Sequence, residues 1–404
     1  MSQLTKSDKQ VLFFVALIWG ADMLYYLMAI VMRLPVINML ADYFVASVII
    51  FSIFITFRSL SHRFKATDYL FYIGCIMLYL INFALFPSND KWLGMYFPMV
   101  FFQMLPYFFV GLLIEPKKQV AVIEYVSLVY IVLSLLYLYI VISNIDVESE
   151  EMGVAYALLP HLLVVLFSCF RRFRWYFLVV FLLGLFRLLG TGNRGTLVLL
   201  SLFVVLYFLF CTEYKHKFLA SILLAIAVAF VWYRQDLIFG YLGDLLGGIG
   251  FNTRAIDMAL NSEFDDANGR DVLSAFFIDK IKTGGLLGYG IFGDRTLLHQ
   301  EDGYPHNLVL EFLIDYGIPF GSILLIALVG ILIKSFKSCK TKESKSFLFI
   351  FLILGFFSLF LSNSYLSNPF FFLMIGYAVN SIRASKKSNA NTYIIRDNNE
   401  NTVS

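Results

Sequence analysis

Twelve apolar runs dominate this chain, each long enough to cross roughly 30 Å of hydrocarbon as a helix. They fall at about 11–32, 36–57, 69–86, 93–114, 121–142, 152–170, 173–189, 195–211, 217–234, 307–333, 346–362 and 365–382. The composition agrees: 60% of residues are hydrophobic and only 15% charged, with a mean hydropathy of +0.78. A soluble domain of this length needs far more charge to cover its surface. The expected fold is therefore an all-α polytopic membrane protein with about twelve transmembrane helices. The first run is too long and lies too far from the start for a cleaved secretory signal.

The placement of charge carries more than its sum. A net charge of +3 makes nucleic acid an unnatural partner. With the N-terminus in the cytoplasm, most of the 31 basic residues fall in cytoplasmic segments. Lys117 and Lys118, Arg171, Arg172 and Arg174, and five lysines between 334 and 345 are examples. The short external segments hold little beyond Arg33 and Lys91, and 143–151 is acidic. This is the positive-inside pattern, with both termini cytoplasmic. The four cysteines lie in spans or on the cytoplasmic side, so no disulfide framework or Cys-based metal site is expected.

One membrane domain over 1–385 is expected, with a disordered, Asn- and Ser-rich cytoplasmic tail over 386–404. Its single long excursion, 235–304, lies outside and reads as a folded lid. Apolar spacing predicts one amphipathic helix over Phe251–Phe264 and another over Gly269–Thr283, capped by Asn268 and ended by Gly284-Gly285. The next stretch, 285–295, packs four glycines into a compact turn. Residues 318–333 rise only about 24 Å. The span is therefore expected to start near Asn307 and to kink at Gly317-Ile318-Pro319.

Several residues on the external side could carry chemistry. Arg194 stands at a span edge within Gly-Thr-Gly-Asn-Arg-Gly-Thr (190–196). An arginine at a span centre costs about 2.5–3.5 kcal/mol on insertion scales, and less near the ends. Gly190, Gly192, Asn193 and Gly195 favour tight or positive-φ backbone, which would set amide N–H groups beside a guanidinium at a helix start, an arrangement that binds phosphate. Arg187 reads as an internal partner for a carboxylate. Arg270 opens the second loop helix. Arg254 and Arg295 have weaker claims, since Asp257 and Asp294 lie beside them. His306, in Tyr-Pro-His-Asn (304–307), sits just before a helix that Asn307 caps. Imidazole titrates near neutrality and suits a general base. Glu311 and Asp315, four residues apart, share a helix face, where they could orient polar groups or meet a sugar. Asp265-Asp266 lacks the spacing of a nucleotide-sugar metal motif. No phosphate loop follows a strand, so no cofactor and no metal are expected.

With these motifs in this order, the chain resembles the O-antigen polymerase and ligase superfamily, the Wzy-type polysaccharide polymerases and WaaL-type ligases. The layout resembles the superfamily over nearly the whole chain, and the motifs do so over about 190–200 and 268–321. Asn-Arg-Gly-Thr-Leu is similar to the arginine motif at a span edge. Gly-Arg-Asp-Val-Leu followed by Gly-Tyr-Gly is similar to the loop-arginine motif, and Pro-His-Asn-Leu-Val-Leu-Glu to the histidine motif. The resemblance implies a GT-C-like fold and a glycosyltransferase of the bacterial cytoplasmic membrane acting at its outer face. Its donor would be an undecaprenyl-diphosphate-linked oligosaccharide. Arg194 and Arg270 would hold the diphosphate, with Asn307, Glu311, Arg254 and Arg295 as further substrate-binding residues. His306 would deprotonate the acceptor hydroxyl, without a metal. The product would be a surface polysaccharide: O-antigen, capsule or exopolysaccharide. A chain-length regulator and a flippase would be its protein partners. A ligase would differ only in its acceptor, the lipid A core. A flippase or transporter would share the spans but would place its charges along a central path.

Overall fold

The computed structural model describes residues 5–21, 58–142, 151–191, 193–213, 270–300 and 303–401, with isolated positions in 23–54 and 215–226. In chain order the helices are α1 (Lys6–Trp19), α2 (Ala66–Leu85), α3 (Asp90–Pro98), α4 (Tyr107–Leu113), α5 (Pro116–Ile142), α6 (Glu151–Arg171) and α7 (Trp175–Gly190). They continue as α8 (Arg194–Cys211), α9 (Arg270–Thr283), α10 (Gly293–Leu298), α11 (Leu308–Ser338), α12 (Lys342–Gly355) and α13 (Pro369–Asn401). Among the described residues there is no strand. Seven helical stretches among the described residues are long and apolar enough to cross a membrane, and α7 is a shorter apolar helix. The protein is a helical membrane protein. Each expected run from 69 to 211, and each from 307 to 382, coincides with helix. The runs at 36–57 and 217–234 lie largely outside the described residues, as do Arg254, the helix expected over 251–264, Asn268 and Asp265-Asp266.

The chain divides into two compact units, residues 1–61 with 118–272 and residues 62–117 with 273–404. In the first, α1 opens on a capping box. The Thr5 hydroxyl accepts from Asp8 N (3.1 Å), and the Asp8 carboxylate accepts from Thr5 N (3.2 Å). The centre is α6, whose Leu158, Leu162 and Val165 are fully buried. Gly184 lets α7 close on it, since a Cβ there would lie 2.7 Å from Leu162 Cδ2. Several polar groups inside this unit are paired. Trp19 Nε1 donates to Ser127 Oγ at 3.1 Å, the His161 ring stacks on Tyr130 at 3.8 Å, and Glu124 accepts from Ser168 and Arg171. Arg187 is buried but forms no ion pair with a described carboxylate, and its Nε has no hydrogen-bond partner there. The carboxylate expected for it is not among the described residues.

In the second unit, α4 crosses α13 with backbone touching backbone. A Cβ on Gly111 would lie 2.2 Å from Leu373 O, and one on Gly376 would lie 2.0 Å from Phe108 O. Small residues at the crossing replace the hydrophobic drive that lipid does not supply. Between α3 and α4 the chain winds as a π-helix over Met99–Met104, flanked by Pro98 and Pro106, each lacking a helix donor. Near the middle of α13, Arg383 grips Asp68 with both terminal nitrogens at 2.9 and 2.5 Å.

The kink expected in α11 is present. Gly317 takes φ 73° and ψ 167°, two residues before Pro319. The reason given for the span boundary needs correction, however. The helix continues past 333 to Ser338, so the limb from Ile318 rises about 31 Å on its own. Lys334 and Lys337 lie exposed in the last turns of this limb. The limb from Leu308 to Tyr316 is thereby released from spanning. It buries Leu308, Glu311, Phe312, Ile314 and Asp315, while Ile318, Phe320, Ile323 and Ile326 beyond the kink are exposed. α13 runs as helix to Asn401, and no Gly or Pro follows Gly376 to stop it.

Candidate active site

The kink in α11 leaves two carbonyls without helical partners, and the glycine-rich turn supplies them. Asp315 O would take its bond from residue 319, which is a proline and has no N–H. Gly290 N donates to it instead at 3.0 Å, and Tyr289 N donates to Ile314 O at 2.8 Å. Such close approach demands glycine. A Cβ on Gly288 (φ 69°) would lie 2.4 Å from Gly317 N and from Ile314 O, and one on Gly317 would lie 2.3 Å from Leu286 O. Two buried asparagines hold the other side of the turn. Asn82 Oδ1 accepts from Ile291 N at 2.8 Å, and Asn89 Nδ2 donates to Tyr289 O and Ile291 O at 2.8 and 3.1 Å. The described end of the expected lid is thus built into the second unit.

The turn delivers Asp294 and Arg295 to a buried cluster. They are 0% and 3% exposed. Arg295 Nη1 lies 3.2 and 3.3 Å from the two Asp294 oxygens. The guanidinium sits among the rings of Phe292 (4.9 Å), Tyr96 (5.3 Å) and Tyr304 (5.3 Å). Burial works against its charge, but Asp294 first, then Glu311, Tyr96 and Asp315, hold Arg295 firmly protonated. Burial raises the Asp294 carboxyl above the usual carboxylate range, against the pull of Arg295. On α11, Glu311 accepts from Ser364 Oγ and from Tyr365 N, and Asp315 accepts from the Tyr365 hydroxyl at 2.9 Å. That hydroxyl also lies 2.9 Å from the Tyr316 hydroxyl. Glu311 and Asp315 therefore share a face, as their spacing predicts. Both are buried rather than solvated, at 1% and 2% exposure.

His306 lies at the rim of this cluster. Asn307 caps α11 as expected, its Oδ1 accepting from Val309 N and Leu310 N at 3.0 and 3.3 Å. The His306 ring packs on Tyr304 at 4.2 Å, and Tyr304 in turn touches Arg295. The Tyr304 hydroxyl accepts from Asn363 N at 3.2 Å. Three of the non-glycine residues with positive φ border the cluster: Phe292 (63°), His306 (48°) and Asn363 (69°). Phe292 is the costly one, since His and Asn adopt this region more readily. Backbone strain of this kind gathers at functional sites.

The remaining candidates belong to the first unit. Arg194 is half-buried and is the first residue of α8, after Asn193, whose Oδ1 accepts from Thr196 N at 3.1 Å. The expected helix start is there. Gly190 closes α7, Gly195 lies inside α8 and Asn193, at φ −81°, caps it in a tight turn, while Gly192 lies outside the described residues. Arg270 opens α9 and is exposed. No three His, Cys, Asp or Glu side chains among the described residues form a group able to hold a metal.

Sequence reasoning passed over Asp294 because an Asp-Arg neighbour pair reads as a neutralised surface pair. It passed over Ser364 and Tyr365 too, though Ser362–Asn368 is a polar interruption between two apolar runs. Comparison with known families, with curated proteins and with solved structures returns no match.

Proposed function

We propose that this chain is a glycosyltransferase that polymerises undecaprenyl-diphosphate-linked repeat units at the outer face of a bacterial cytoplasmic membrane. The observation that carries this reading is His306, held at a capped helix start on the rim of a buried, hydrogen-bonded polar cluster. A braced shell beneath a rim imidazole suits a base that must meet a hydroxyl in a fixed direction.

In the proposed reaction the acceptor hydroxyl oxygen attacks the anomeric carbon of the donor sugar. The bond from that carbon to the diphosphate oxygen breaks, and undecaprenyl diphosphate leaves with the electron pair. His306 takes the hydroxyl proton. Inversion at the anomeric carbon follows from a single displacement. Arg194 and Arg270 bind the diphosphate and offset the charge growing on it, which bidentate guanidinium groups do without a metal. Glu311, Asp315, Arg295 and Asp294 are positioning residues in this account. Arg295, 3% exposed and engaged by Asp294, braces the loop that carries Tyr304 and does not itself grip the diphosphate.

The test is a purified His306→Ala variant, assayed with lipid-linked repeat units for binding and for turnover. Turnover is expected to fall about 10²–10⁴-fold with donor binding kept. Unchanged turnover would remove His306 from the mechanism.

A further inference from the structure

The second unit also contains a cavity of about 1240 Å³ at the end opposite to His306 along α11, and nothing in the proposed reaction uses it. It opens where α11 ends at Ser338, where α2, α5 and α12 begin, and alongside the Arg383 stretch of α13. Its wall carries Lys65, Lys117, Lys340, Lys386 and Lys387, all exposed, and none of these forms an ion pair with a described residue. Glu115 is the one acidic residue in the lining, and it lies 3.7 Å from Arg63. Arg383 is bound to Asp68 and Thr67, and so serves as wall rather than as ligand.

Two further features point to an anion with an apolar tail. Three helices, α2, α5 and α12, present their N-terminal ends to the cavity, where aligned helix dipoles favour negative charge. Leu112, Leu113, Ile114 and Tyr377 make part of the lining apolar. A free phosphate would gain nothing from that floor, whereas a lipid would.

We infer that this cavity is a headgroup site for an anionic phospholipid, with the phosphodiester held by the lysines and the first acyl carbons laid on the apolar floor. A basic pocket among membrane helices on the lysine-rich side is where such lipids are recognised. The occupant of the site is a lipid of the leaflet that the basic loops face, distinct from the polyprenyl donor.

The test uses the full chain, purified and placed in nanodiscs of phosphatidylcholine alone or of phosphatidylcholine doped with cardiolipin. Retained lipid is read by native mass spectrometry, and stability by thermal melting. Cardiolipin is expected to be retained and to raise Tm. Each lysine near an anionic headgroup is worth about fivefold in affinity. The variant K340Q/K386Q/K387Q should therefore bind cardiolipin roughly a hundredfold more weakly, while melting like the wild type in phosphatidylcholine. The variant K65Q/K117Q, altered on different elements, should lose about 25-fold by the same rule. Equal retention by wild type and both variants would overturn the site. Inorganic pyrophosphate that raises Tm as far as cardiolipin and displaces it would overturn the lipid as occupant.

Discussion

Arg194 and Arg270 are asked to do something that a lysine cannot. A guanidinium offers a planar fork to two phosphate oxygens, while an ammonium offers a point charge. Arg194→Lys and Arg270→Lys are therefore expected to lose polymer almost as completely as the alanine variants, at normal protein level. Full-length polymer from both lysine variants, read on a glycan gel, would assign both arginines a structural role. Asp294 and Arg295 behave differently. Their pair is buried, so removing one partner leaves an uncompensated charge and costs about 3–5 kcal/mol. Asp294→Ala should lower Tm and expose the 285–298 segment to protease, whether or not substrate is present. A variant with unchanged melting would show that the pair does not brace the site. Of these residues the sequence disclosed the cations and the histidine, through their spacing and their flanking Gly, Asn and Pro. It also marked Arg295 as the weaker claim through the neighbouring Asp294, and the two do pair; the enclosure of Arg295 by Phe292, Tyr96 and Tyr304 left no local mark.

At the scale of elements, the break in α11 and the turn that caps it form one device. Pro319 removes a donor, Gly317 turns the chain, and Gly288 admits the turn's backbone against the exposed carbonyls. Gly288→Ala places a Cβ 2.4 Å from backbone atoms at positive φ, so the turn must lift away. The loss is expected to exceed the ~1 kcal/mol that glycine-to-alanine replacement gains where the backbone can accept it. It should appear as faster hydrogen exchange at Tyr289 and Gly290, whose amides protect the two carbonyls. Exchange rates equal to the wild type would contradict the capping role. The kink was legible in advance because Gly and Pro act locally. The extent of the helix was not, because Lys334 and Lys337 have the composition of a loop and yet continue the helix.

At the scale of the whole molecule, the alternation of basic segments makes a claim about sides. It assigns 235–304 to the outside and 334–346 to the cytoplasm. Cysteines introduced at Asp266 and Ser338 should react with an impermeant reagent on opposite faces, and reaction on one face would sink that assignment. Periodicity and hydropathy made the helical membrane fold legible, since crossing a bilayer imposes length and apolarity on every span. Division into two compact units left no such mark, because it arises from packing between distant segments such as Gly111 and Gly376. The central claim is that this chain makes glycosidic bonds from a lipid-linked donor, and one measurement addresses it directly. The purified protein would be reconstituted alone in liposomes with undecaprenyl-diphosphate-linked repeat units and a chelator, without nucleotide. The account predicts lipid-linked glycans of increasing length, with undecaprenyl diphosphate released in step with each new linkage. Repeat units that stay monomeric while crossing from one leaflet to the other would contradict it, and would identify the chain as a transporter.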